Sequence, residues 1–180
     1  MIKPILLSGD KILREKSKTV KKIDKKILSL ITDLKETLKA QIEPEGVGLA
    51  APQIGKNFRI FAMWPDPSKE IDIVINPQII EISKSTKAPT REMAKKHKKI
   101  MEGCLSLPNY YTPLSRAFSI KIKYLNELWQ EKTASYEGID AQIVQHEIDH
   151  LNGVLFIDRM LEQGKILFEY NNGEWSEVEL

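Results

Sequence analysis

Five consecutive residues, His146-Glu147-Ile148-Asp149-His150, constrain this chain more than any other stretch. On an α-helix, side chains four positions apart share one face about one turn apart, so both imidazoles can hold a single metal ion. Glu147 lies between them and can reach a water on that ion as a general base. The surroundings predict the helix: Ile139, Ile143, Ile148 and Leu151 recur on it, and Asn152-Gly153 closes it where glycine can take the left-handed turn. Ile143 and Leu151 set this face against a core. The competing picture, two surface histidines paired with carboxylates, fits that apolar flank poorly.

Two histidines leave a catalytic metal short of the three protein ligands it usually has. His97 is available, but it lies among lysines, which disfavour holding a cation. Cys104 is the better third ligand. It is the only thiol and precedes the largely apolar Leu105-Ser106-Leu107-Pro108. A lone cysteine is ordinarily a small buried hydrophobe. The histidine pair changes that expectation, because a thiolate, two imidazoles and a water make a coherent tetrahedral site suited to Fe(II) as well as zinc. A single cysteine also excludes an internal disulfide and suits a reducing compartment.

The remainder reads as an α+β fold in one domain, residues 1–180. Ile27, Leu30, Ile31, Leu34 and Leu38 predict a helix from Asp24, its N-cap, to Ile42, ended by Pro44 and Gly46. Strands are expected over 59–64, 72–80, 119–125 and 133–137. A terminal hairpin is expected from Ile166–Tyr170, Asn171-Asn172-Gly173 and Trp175. These elements follow no βαβ rhythm, which favours α+β. A net charge of +2 does not argue for nucleic acid. No apolar run reaches the roughly 20 residues of a membrane span, and the first seven residues lack a secretory signal, so a cytoplasmic protein is expected. Lys84–Lys99 holds seven cations and one acid, Glu92. It reads either as a solvated excursion or as a basic patch for ribosomal RNA.

Three motifs carry a resemblance. Gly46-Val47-Gly48-Leu49-Ala50-Ala51-Pro52-Gln53, Glu102-Gly103-Cys104-Leu105-Ser106 and Gln145-His146-Glu147-Ile148-Asp149-His150 resemble, in order and separation, those of the peptide deformylases. Weaker similarity covers most of the chain, including Asn76-Pro77 and Leu155-Phe156-Ile157-Asp158-Arg159. The resemblance implies a central H-E-x-x-H helix wrapped by antiparallel sheets. It also implies a metal on Cys104, His146 and His150, with Fe(II) native and zinc, nickel or cobalt as substitutes. The implied substrates are N-formyl-methionyl peptides and nascent chains, and a monomer is expected. Glu147 would carry the proton from water to the leaving amine. Gln53, a neutral donor, and the Leu105 N–H would stabilise the oxyanion. Gly48 permits close approach of the substrate backbone, and Glu102 with Arg116 would pair behind the site and hold the Cys104 loop. The methionine pocket would draw on Val47, Ile100, Ile139 and Ile143. Met101, where many relatives carry a second acid, Tyr111, where some carry arginine, and the long basic segment depart from the pattern.

Two rivals remain. An ordinary zinc peptidase would take Glu162 as third ligand, leaving Cys104 and Gln53 without a role. A non-catalytic module would keep the metal and bind ribosomes through its lysines, but Gln53, Cys104 and Glu147 are all intact.

Overall fold

The computed structural model describes residues 1–87 and 101–179. The first long helix, α1 (Lys25–Lys39), starts where the Asp24 carboxylate accepts the Ile27 N–H at 3.0 Å. It buries Ile27, Leu30, Ile31, Leu34 and Leu38. The helix stops three residues short of Ile42. That side chain is 81% exposed, so no burial favours another turn.

Among the described residues, all the sheets are antiparallel. One orders five strands as β1 (Gly48–Ala50), β2 (Ile60–Met63), β3 (Asp72–Ile82), β8 (Ser119–Leu125) and β9 (Glu131–Glu137). A second orders β11 (Glu174–Val178), β10 (Leu167–Asn171), β6 (Leu107–Thr112) and β5 (Glu102–Cys104). A short pair joins β4 (Thr86–Lys87) to β7 (Arg116–Ala117). In β8 the alternation behaves as the pattern demands. Ile120 and Ile122 are buried, while Lys121 and Lys123 reach Glu81 and Glu131.

The second helix, α2 (Gly138–Leu151), lies between the two larger sheets and is buried from Ile143 to Leu151. Its apolar side packs Val144, Ile148 and Leu151 with Phe61, Val74, Ile120 and Ile122 of the five-stranded sheet. Its polar side turns toward β5. This is the α+β arrangement of a central helix wrapped by antiparallel sheets. A third helix, α3 (Phe156–Glu162), follows directly, its first turn closed by the Leu155 N–H donating to Asp158 at 2.8 Å.

The hairpin turn takes Asn172 and Gly173 at positive φ, as turn chemistry requires. Sequence periodicity misses β5, β6 and α3, along with the short strands β1, β4 and β7. The first two are rich in glycine, proline and asparagine, weak strand formers whose pairing here comes from neighbouring strands. At seven residues, α3 is too short for a periodic signal. Among the described residues, no helix is long and apolar enough to cross a membrane. Lys84 is exposed, whereas 88–99 of the basic segment lie outside the described residues.

Candidate metal centre

Helix α2 stacks His146 and His150 one turn apart, their ring centroids 4.8 Å from each other. Strand β5 delivers Cys104 to the same point, with Sγ 3.2 Å from His150 Nε2. One ligand atom from each of Cys104, His146 and His150 lies within 4.8 Å of the others. That spacing and the soft donor set fit one divalent ion.

The electrostatics agree. Burial opposes ionisation of Cys104, but His150 and His146 outweigh it and hold the thiol well below its ordinary range. His146 is raised, since Cys104 and Glu102 outweigh the burial that would keep it neutral. The metal-free site thus favours a thiolate, the form that ligates.

Behind these three residues runs a chain of ion pairs. Glu102 Oε1 lies 2.7 Å from His146 Nδ1, which leaves Nε2 for the metal. The Arg116 guanidinium donates to both Glu102 oxygens, at 2.9 and 2.6 Å, and to Asp149 at 2.6 Å. Arg159 of α3 grips Asp149 with two further bonds, at 3.1 and 2.7 Å. Burial alone would raise the Glu102 pKa, but Arg116 and His146 bring it down to about 2. Asp149 and Arg159 escape the sequence reading. The available signal was the acid inside the buried H-E-x-x-H helix, which demands a cation.

Glu147 stands apart from this chain. Its Oε2 has no hydrogen-bond partner among the described residues, and burial, partly offset by the two histidines, raises its pKa to about 7. A poised, unpaired carboxylate beside the ligand cluster is suited to moving protons. Gly48 makes room for it: a Cβ there would collide with Glu147 Oε1 and come within 2.9 Å of Cδ.

Gln53 sits in a short 3₁₀ turn (Ala51–Ile54) just after β1. Its Oε1 accepts the Ala50 N–H at 2.8 Å, so the NH₂ end must face the site. Nε2 donates to Ser106 Oγ at 3.1 Å and faces Cys104 Sγ at 3.5 Å. Ser106 is a further residue that sequence reasoning leaves unassigned. Leu105 occupies the turn between β5 and β6. Of the expected pocket, Ile143 is buried while Val47 and Ile139 are 38% and 52% exposed. Ile100 and His97 lie outside the described residues. Glu162 is exposed and paired with Arg159 at 2.9 Å, away from the ligand cluster, so the zinc-peptidase assignment is set aside.

Comparison with known proteins gives one answer. The family model for polypeptide deformylase matches residues 2–165. A peptide deformylase of Pseudothermotoga lettingae is 44% identical over 158 residues, covering 88% of this chain and 82% of that protein. One from Halothermothrix orenii is 42% identical, covering 87% and 92%. The crystal structure of peptide deformylase from Thermotoga maritima superposes with a TM-score of 0.76 at 38% identity, covering 88% of this chain and 97% of that one. That of Synechococcus elongatus, in complex with actinonin, gives 0.75 at 30% identity, covering 96% and 82%.

Proposed function

Since the chain belongs to the polypeptide deformylase family, we propose that it hydrolyses the N-formyl group of formyl-methionyl peptides around one ion on Cys104, His146 and His150. The observation that carries the residue assignment is the Cys-His-His cluster beside the buried Glu147, whose Oε2 has no hydrogen-bond partner among the described residues. Bound there, a divalent ion supplies Lewis acidity, lowering the pKa of a water and polarising the formyl carbonyl. Glu147 takes a proton from the attacking water and delivers it to the amine nitrogen as the C–N bond breaks. The Gln53 amide and the Leu105 N–H stabilise the oxyanion. Gly48 admits the substrate backbone, and Val47, Ile100, Ile139 and Ile143 form the methionine pocket. Glu102 and Arg116 hold the His146 ring in its ligating orientation.

The whole of 1–180 acts as one domain in this reading, a cytoplasmic monomer with Fe(II) as its native ion and zinc, nickel or cobalt as substitutes. Lys84–Lys99 adds contact with ribosomal RNA, and glutamine at Lys95, Lys96, Lys98 and Lys99 should weaken salt-sensitive cosedimentation with ribosomes. Unchanged cosedimentation would remove that part alone. The central test is formate release from an N-formyl-methionyl tripeptide by the metal-loaded protein. Absence of formate with full metal occupancy would overturn the proposed activity.

A further inference from the structure

The C-terminal hairpin of β10 and β11 follows the matched family region, which ends at residue 165. The ladder ties it to the strand that delivers Cys104. Strand β10 pairs with β6 through Phe168 and Tyr111 and through Glu169 and Tyr110. Strand β6 in turn pairs with β5, setting Tyr111 opposite Gly103. The Thr112 hydroxyl adds a bond to the Ile166 carbonyl at 2.9 Å.

The side chains make a tighter link than the ladder. A Cβ on Gly103 would lie 2.6 Å from Tyr111 Cδ1 and Cε1, so the tyrosine ring fills the place of the missing side chain. Trp175 of β11 meets that ring edge-on, at 5.3 Å between centroids and 70° between planes. Tyr170 backs the tryptophan at 4.8 Å. An aromatic ring covering a glycine on an edge strand is a known way to steady such a strand. β5 is three residues long and, among the described residues, stands at the edge of its sheet. Its residues on either side of Gly103 both matter to the centre: Glu102 orients His146, and Cys104 supplies the sulfur.

We propose that Trp175 is a positioning residue for the metal centre, acting through Tyr111 and Gly103 to hold the Cys104 sulfur at ligating distance from the two histidines. The inference rests on the assignment of Cys104, His146 and His150 as ligands. Removing the edge-on ring loosens the packing that Trp175, together with Met101 and Phe168, gives Tyr111 over Gly103, and the short strand loses part of its aromatic support. The sulfur shifts, while the helix that carries the histidines stays where it is.

The test uses the full-length protein loaded with Co(II), whose thiolate ligand gives a charge-transfer absorption. Trp175→Ala should weaken that band and lower Co(II) affinity against a chelator by about 10- to 100-fold, the range seen when groups supporting a ligand are lost. Trp175→Phe, which keeps an edge-on ring, should restore both. Trp175→Leu, which keeps apolar bulk without the ring, should not, and it serves if the alanine variant does not fold. Ile27→Ala removes packing from α1, in an apolar cluster that holds neither Trp175 nor Tyr111, and should leave band and affinity as in the wild type. Folded Trp175→Leu with wild-type band and affinity would overturn the proposal. So would an Ile27→Ala variant with the same loss. A wild-type protein that binds Co(II) without a thiolate band would overturn the ligand assignment itself, and this inference with it.

Discussion

A methyl group at position 48 would collide with the Glu147 carboxylate, which makes Gly48 the most sensitive single atom-sized space in the site. Glycine serves here for its missing side chain, since its φ is not among the positive ones. Gly48→Ala should therefore displace Glu147 and depress turnover while metal content stays full. Glu147→Ala sets the scale, with an expected loss of roughly 10²–10⁴ in kcat and no loss of metal, because its proposed role is to move a proton and not to ligate. Metal analysis of both purified variants checks the assignment. Apo-protein from Glu147→Ala would mean that the carboxylate belongs to the ligand set.

Between elements, Arg116 joins β7 to β5 through Glu102 and to α2 through Asp149. Arg116→Met would leave Glu102 buried and without its guanidinium. Breaking a buried pair in this way typically costs about 3–5 kcal/mol, measurable by urea unfolding of the metal-free protein. A cost below about 1 kcal/mol would show that the carboxylates find other partners. The contact of β9 with α2 carries a separate pH dependence. Burial, and then Tyr124, raise the Tyr136 pKa well above its ordinary 10. The neutral phenol is thus favoured in the fold. Its contribution is complete below pH 10 and is lost as pH rises from there toward the folded-state value. Tyr136→Phe should flatten the alkaline fall in stability relative to the wild type, read from unfolding midpoints between about pH 9 and 11. Equal slopes in the two proteins would exclude this contribution.

At the scale of the molecule, metal binding and folding should be one equilibrium, because the proposed ligands come from β5 and α2, with Cys104 and His150 46 residues apart in sequence. A ligand at 100 times its Kd stabilises the native state by about 2.7 kcal/mol. Nickel added to the metal-free protein should raise the melting temperature. Cys104→Ser should abolish most of that rise, and a full rise in the variant would remove the sulfur from the coordination sphere.

Much of this centre was legible in the residues alone. His146, Glu147 and His150 lie within one turn of a helix whose geometry is local, so their shared face follows from the spacing itself. The Asp24 cap, the alternation of β8 and the Asn172-Gly173 turn were legible for the same reason: each is decided by neighbours in the chain. Helix α1 was read three residues too long, since its end depends on Ile42 finding no core to enter. Cys104 could be nominated by elimination, but its approach to His150 needs β5 and α2 to fold against each other. The Asp149–Arg159 pairs, the fixed orientation of Gln53 and the Trp175–Tyr111–Gly103 stack left no comparable pattern. They join groups distant in sequence: a carboxylate or an amide in the interior must find a partner, a glycine strand takes whatever ring packs over it, and only the packed chain decides which one is near.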